Sequence, residues 1–299
     1  MGTSTAYGGP TGGTPLIPSW LGSDGDADAQ TPPAAEPAQG PAEAPAKGPV
    51  SPAPMPAAPP PRPAIAAPAD GRRFTAPRSN FTRFANSGGA DRKSLGRAVS
   101  GYVSKSSGGA RQAALRMGAS RSSGAALLGF LADVQARGAT EALRHLDLEG
   151  LAGRPIEEVF LGLADHICPN AGTVDEGIAR EAFIETIVDL SMLGVTDLDA
   201  LSPDQMQTVF ELYATHAIEA RICNDIGTKA VTMPTDVQAA HKVEAQLRDF
   251  IRGGVSDALT RARAESPNLT PERIQSFVDT VYESAFSILQ TLGQAEADQ

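Results

Sequence analysis

Cysteine is nearly absent from this sequence. Cys168 and Cys223 are the only two in 299 residues, which excludes a disulfide framework and any cysteine-based zinc pattern. Each falls in a helical pattern, where a cysteine normally serves as a small buried residue. Aromatic residues are scarce as well, at 5%, so a core has to be built mainly from Leu, Ile, Val and Ala. That composition favours packed helices. No apolar run approaches the roughly 18 residues that a membrane-spanning helix needs, and no basic-then-apolar leader opens the chain. A soluble, cytoplasmic protein is the expectation.

Catalytic signatures are missing too. The four histidines, His145, His166, His216 and His241, fall on four different predicted helices, none with a second ligand four residues on. There is no His-Glu-x-x-His. Each reads as a surface or partly buried histidine. No Gly-x-Ser-x-Gly elbow occurs, nor any Gly-x-x-x-x-Gly-Lys-Ser/Thr phosphate loop. Acids abound, but on the polar faces of predicted helices. The chain is expected to be no enzyme and to carry no metal or cofactor of its own.

What is present is unevenly distributed. Residues 1–70 hold six acids and two bases, residues 71–126 eleven bases and one acid, and residues 127–299 twenty-eight acids and twelve bases. Such blocks suggest separate surfaces with separate partners. Residues 23–70 form an Ala/Pro-rich stretch in which 14 of the 24 prolines lie between Pro32 and Pro68. With few side chains able to join a core, it cannot offset its own ordering entropy. A disordered, semi-rigid polyproline-like spacer is expected there.

Residues 71–90 alternate bases with aromatics. Arg72, Arg73, Phe74, Arg78, Phe81, Arg83 and Phe84 form a candidate surface for nucleic acid, through charge and base stacking. The same residues also suit docking on the acidic part of this chain or on another protein.

Helical periodicity begins at Asp91, a good N-cap, with Leu95, Ala98, Val99, Tyr102 and Val103 on one face. Ser104–Gly109 breaks the pattern, and a short basic helix over Ala110–Met117 follows. Ala125, Leu128, Leu131 and Val134 make the next stripe, closed by Gly138. Further helices are predicted over Thr140–Leu146, from Pro155 to Cys168, from Asp175 to Leu193, from Ser202 through Ile222, over Thr235–Arg263, and from Thr270 onward. Gly253-Gly254 is expected to bend or split the one that contains it. No strand alternation is found. The fold predicted is mainly α, a C-terminal helical bundle over 91–293 preceded by a long disordered Pro/Ala-rich N-terminal region.

Residues 1–22 resemble nothing later in the chain. Six glycines and three prolines make them a poor helix and a poor strand. Yet they carry Tyr7, Leu16, Ile17 and the sole tryptophan, Trp20. Either this is a solvated tail, or it is a peptide that threads into a partner's groove, with glycines for close backbone approach and apolar anchors behind them. Met1 is followed by the small Gly2, so removal of the initiator methionine is expected to expose the Gly2 amine. An α-amine titrates at about 7.7–8.0 against about 10.4 for lysine, so near neutrality it is the more nucleophilic. The N-myristoylation pattern wants Ser or Thr at the sixth residue, where this chain has Ala6.

Met-Gly-Thr-Ser-x-x-Tyr-Gly-Gly-Pro over residues 1–10 and Gly-Gly-Thr-Pro-Leu-Ile-Pro-Ser-Trp-Leu over residues 12–21 resemble the start of the QatB family of the four-gene Qat anti-phage system. The resemblance also covers the general plan, a low-complexity segment followed by a helical domain. It implies work beside an ATPase, a QueC-like enzyme (QatC) and a TatD-like nuclease. QueC-like enzymes adenylate 7-carboxy-7-deazaguanine and join it to an amine. By analogy with a related defence system, Gly2 is the residue modified. Thr3, Ser4, Thr5, Tyr7, Gly8, Gly9, Pro10, Leu16, Ile17 and Trp20 are then the partner-binding residues, and ATP and the deazaguanine belong to the partner enzyme. The alternative is a scaffold or nucleic-acid-binding adaptor that uses the basic segment 71–126.

Overall fold

Helix formation starts upstream of residue 91. The computed structural model describes residues 72–168, 172–192, 196–227, 231–266 and 269–299, and in it Thr75–Asn86 form helix α1. Residues 72–90 of the basic segment are therefore largely part of the folded body. Its aromatics explain why. Phe74, Phe81 and Phe84 recur at helical spacing, and all three are buried, Phe84 completely. The bases and polar residues between them dilute the apolar pattern without altering its period.

Asp91 caps α2 (Arg92–Gly101) as its spacing predicts, accepting hydrogen bonds from the Ser94 amide at 2.9 Å and the Ser94 hydroxyl at 2.6 Å. The break after α2 is a widened π turn, Tyr102–Ser106, followed by Gly108 and Gly109 at φ 83° and 99°. These are left-handed conformations that suit glycine. Helix α3 (Ala110–Leu115) leads into α4 (Gly118–Arg137), which stops at Gly138, φ 86°. Then come α5 (Ala139–Arg144), α6 (Ile156–Ile167) and α7 (Val174–Met192). Helix α8 (Pro203–Ile226) opens with a reciprocal capping box between Ser202 and Gln205. Helix α9 (Val237–Glu265) is continuous, so Gly253-Gly254 does not split it. Gly254 instead makes room for Leu289, whose side chain lies 2.8 Å from where a Cβ would sit. Helix α10 runs from Ile274 past the predicted end at 293 to Asp298. No strand occurs among the described residues.

Helix α10 is an axis of this body and packs on α2, α3, α4 and α9, while α8 lies against α4, α7 and α9. The closest approach involves two glycines. A Cβ on Gly96 of α2 would meet the Gly293 carbonyl at 2.5 Å, and a Cβ on Gly293 would meet the Gly96 carbonyl at 2.7 Å. Arg92 and Glu296 pair across the same crossing at 3.1 Å. In α4 the buried face is Ser120, Ser123, Gly124, Leu127, Phe130, Leu131 and Val134. Ala125 and Leu128, expected in the same stripe as Leu131 and Val134, lie at its partly buried edge. Small residues bring α4 close to α8, so that a Cβ on Gly124 would touch the Tyr213 ring at 3.0 Å.

Two outcomes follow from this packing. Gly293→Ala should destabilise the protein by about 1–3 kcal/mol through overpacking, although helix propensity alone favours Ala by about 1 kcal/mol. Gly253→Ala, on the exposed side of α9 with open space around it, should stabilise by roughly 0.5–1 kcal/mol. Urea denaturation of the two variants checks both signs. Truncation tests the boundary: a chain starting at residue 72 should melt cooperatively by circular dichroism. One starting at residue 91 should not, since deleting even one buried phenylalanine side chain costs about 3–5 kcal/mol.

Candidate functional site

Gly2, Thr3, Ser4, Thr5, Tyr7, Gly8, Gly9, Pro10, Leu16, Ile17 and Trp20, together with the predicted spacer 23–70, lie outside the described residues. The second group of predicted site residues is described, and the structure divides it. Phe74, Phe81 and Phe84 are core residues. Phe74 stacks on Tyr102 of the π turn, ring centroids 6.1 Å apart. They are not available to stack on bases, which corrects the aromatic half of that reading. They pack the segment against this chain's own helices.

The arginines are put to several uses. Arg73 and Arg78 lie over the Phe74 ring, 4.6 and 5.7 Å from its centroid, within cation–π range. Arg78 donates to the Ile226 carbonyl at the end of α8 at 2.5 Å. The charges of Arg97 and Arg83 reach Asp91, whose carboxyl is held below its usual range first by the Ser94 hydrogen bonds.

Arg72 and Arg73 join residues from elsewhere in the sequence. With Arg97 of α2 and Lys105 of the π turn they line a groove of about 670 Å³ between α1 and α2. Ser79, Asn80, Ser104 and, from α10, Gln294 add neutral hydrogen-bonding groups. No carboxylate lines it among the described residues. The sequence reading missed Arg97 and Lys105, whose only signal is their place in the basic block.

A polar cluster adjoins Arg73. The Tyr102 hydroxyl donates to Asp225 at 2.9 Å, and Arg221 pairs with the same carboxylate at 3.2 Å. Arg221 also donates to the Arg116 carbonyl at 3.2 Å. Burial, and then the Asp225 charge, push the Tyr102 phenol well above its normal range. Burial, and then the charge of Arg73, lower the Arg116 pKa.

A third cluster lies on α7–α9. His216 is buried, more deeply than its sequence context suggests, with Nε2 at 2.8 Å from Asp189 and Nδ1 at 4.0 Å from Glu219. Arg248 closes the set by donating to Glu219 at 2.7 Å. The geometry is that of a buried histidine satisfied by carboxylates. Among the described residues no group of His, Cys, Asp and Glu is arranged to hold a metal ion, and no helix is long and apolar enough to cross a membrane.

Neither cysteine has a thiolate environment. Burial raises the Cys168 pKa. Burial, and then the charges of Glu219, Glu181 and Glu244, push Cys223 up to about 12. Cys223 lines an apolar groove of about 180 Å³ beside Phe81, Ile226, Met233 and Leu247.

A family model described as QatB, Qat anti-phage system associated protein QatB, matches residues 108–289. No curated protein and no solved structure matches the chain. The family match covers α3 through most of α10, a different part of the chain from the N-terminal residues that carry the sequence resemblance.

The cysteine environments lead to a kinetic expectation. Because the Cys223 pKa lies well above 9, its thiolate is scarce until the pH approaches 12. Alkylation of the native protein by iodoacetamide at about pH 8 should run at least about a hundredfold slower than in the urea-unfolded chain, followed by intact mass.

Proposed function

The chain belongs to the QatB family of Qat anti-phage system proteins, and from that premise we propose that it serves as a non-catalytic subunit whose N-terminal peptide enters a QueC-like partner and is modified at Gly2. Membership implies a role in anti-phage defence. The observation that carries the finer reading is the sequence from Gly2 to Trp20. It places the least hindered amine of the chain ahead of a glycine-rich peptide with a tyrosine and a tryptophan as anchors.

The chemistry suits an acyl adenylate. The carboxylate of a 7-carboxy-7-deazaguanine would attack the α-phosphorus of the partner's ATP, breaking the α–β phosphoanhydride bond and releasing pyrophosphate, to give the mixed anhydride with AMP. The neutral Gly2 nitrogen attacks the carbonyl, the carbonyl–oxygen bond to AMP breaks, and AMP leaves. The nitrogen gives up its proton and an amide remains. The step needs an unprotonated amine held in line with the carbonyl. The N-terminal α-amine supplies that at neutral pH where a lysine does not. Thr3, Ser4 and Thr5 bring hydroxyls to a narrow channel, Gly8, Gly9 and Pro10 keep the backbone slim, and Leu16, Ile17 and Trp20 anchor it. Aromatic anchors of that kind often dominate interface energetics. The ATPase and the TatD-like nuclease of the same system are the further partners proposed.

Intact mass of the protein purified with its neighbouring genes is expected to show an adduct at Gly2. The adduct should be absent when the QueC-like partner is deleted and absent in Gly2→Leu, which retains Met1. Trp20→Ala should weaken partner binding while leaving the helical body's melting temperature unchanged. An active system that yields only unmodified Gly2 overturns the modification.

A further inference from the structure

We propose that the groove between α1 and α2 binds the phosphate backbone of single-stranded nucleic acid. This stands apart from the N-terminal reading, since it concerns other residues and another ligand.

Two observations carry it. The first is the composition of the groove. Arg72, Arg73, Arg97 and Lys105 line it, no described carboxylate does, and hydroxyl and amide groups fill the spaces between the charges. Cations interleaved with neutral donors are the set that contacts phosphate oxygens. The surrounding protein makes this concentration notable, because the chain as a whole carries a formal charge of −10. The second is an unmet need. Nη1 of Arg73 and Nη1 of Arg116 are both buried, and neither has a hydrogen-bond acceptor among the described residues. Buried charged donors without acceptors are unfavourable. The two cations also lie near enough for Arg73 to depress Arg116. Arg73 also lines the groove, so an anion seated there offsets the repulsion between the two cations.

The shape selects the polyanion. A single strand brings one charge per nucleotide along a narrow backbone that a groove can follow. A duplex presents a broad convex surface. An acidic peptide carries its charges at the ends of separate side chains. The aromatic residues of the segment are buried, so binding rests on charge and is indifferent to base sequence.

The test is fluorescence anisotropy of a labelled oligonucleotide of about 15 nucleotides, titrated with the full chain. If Arg73, Arg97 and Lys105 neutralise three phosphates, the single-strand slope of about −0.7 per phosphate predicts a roughly 20-fold loss of affinity between about 50 and 200 mM salt. Arg97 and Lys105 are exposed, so Arg97→Glu with Lys105→Glu should leave the circular dichroism spectrum intact and weaken binding more than about tenfold. Arg261→Glu, on the exposed side of α9 and off the groove, should leave affinity unchanged. The proposal is overturned by no binding at about 50 mM salt or by binding insensitive to salt. Equal binding by the double variant, or tighter binding of the matching duplex or of poly-glutamate, overturns it too.

Discussion

The crossing of α2 and α10 at Gly96 and Gly293 is the contact on which the rest of this body depends. Each glycine's missing Cβ leaves the space that the other helix's carbonyl occupies, so two backbones separated by almost two hundred residues of chain come into direct contact. Any side chain at either position forces them apart. Helix α10 also packs on α3, α4 and α9, so a shift at this point is passed to several neighbours. It is passed to the groove as well. Gln294, the residue after Gly293, and Ser100 and Gly101 of α2 are part of the groove wall that faces α1. The closest approach in that crossing, between Gly96 and Gly293, itself contains no charge.

Polar groups then fix how the remaining helices meet. The α4 N-terminus has no cap from its preceding residue, Met117. It is capped instead by Asp175 of α7, which accepts from the Ala119 amide at 2.6 Å and the Ser120 hydroxyl at 3.1 Å. Asp199 does the same for α5, accepting from the Ala139 amide at 2.7 Å. Both satisfy orphan amides that favour negative charge. On the other side of α4, the Tyr213 hydroxyl donates to the Ser120 carbonyl at 2.9 Å. A helix with serine or glycine at three of its seven buried positions is thus held in place by hydrogen bonds to α7 and α8 as well as by its own leucines.

These two features explain what was legible in the sequence. The helices with regular apolar spacing and local caps were readable, as at Asp91 and at Ser202-Pro203-Asp204, and so were the stops at Gly138 and before Pro169. The mainly α fold followed from them. What escaped was information carried by small or distant residues. Gly96 and Gly293 look like weak points in helices until a partner backbone is seen against them. Ser120, Ser123 and Gly124 look polar until Tyr213 covers them. Gly253-Gly254 looks like a break, yet one of the two is a seat for Leu289. Helix α1 escaped for a different reason. Arginines between the phenylalanines suggested a solvated surface, although the phenylalanines kept the helical period. In the candidate groove, Arg72 and Arg73 were legible as a basic pair, while Arg97 and Lys105 needed the fold to bring them there.

The burial of Phe74, Phe81 and Phe84 also changes what the basic block can do. A row of bases beside exposed aromatics offers charge and stacking together. Once the rings are in the core, only the charge remains, and part of it is consumed internally. Arg92 is paired with Glu296, Arg121 with Asp279, and Arg78 lies against a backbone carbonyl. The acidic helices thus neutralise those members of the block that face them. The cations that line the α1–α2 groove are set where no described carboxylate lines the wall. Net charge over the block therefore says little about where an anion can bind. The helix packing decides it, by sorting a run of similar residues into those that stabilise the fold and those that face outward. It is on a surface sorted in this way that the proposed contact with a phosphate backbone, indifferent to base sequence, rests.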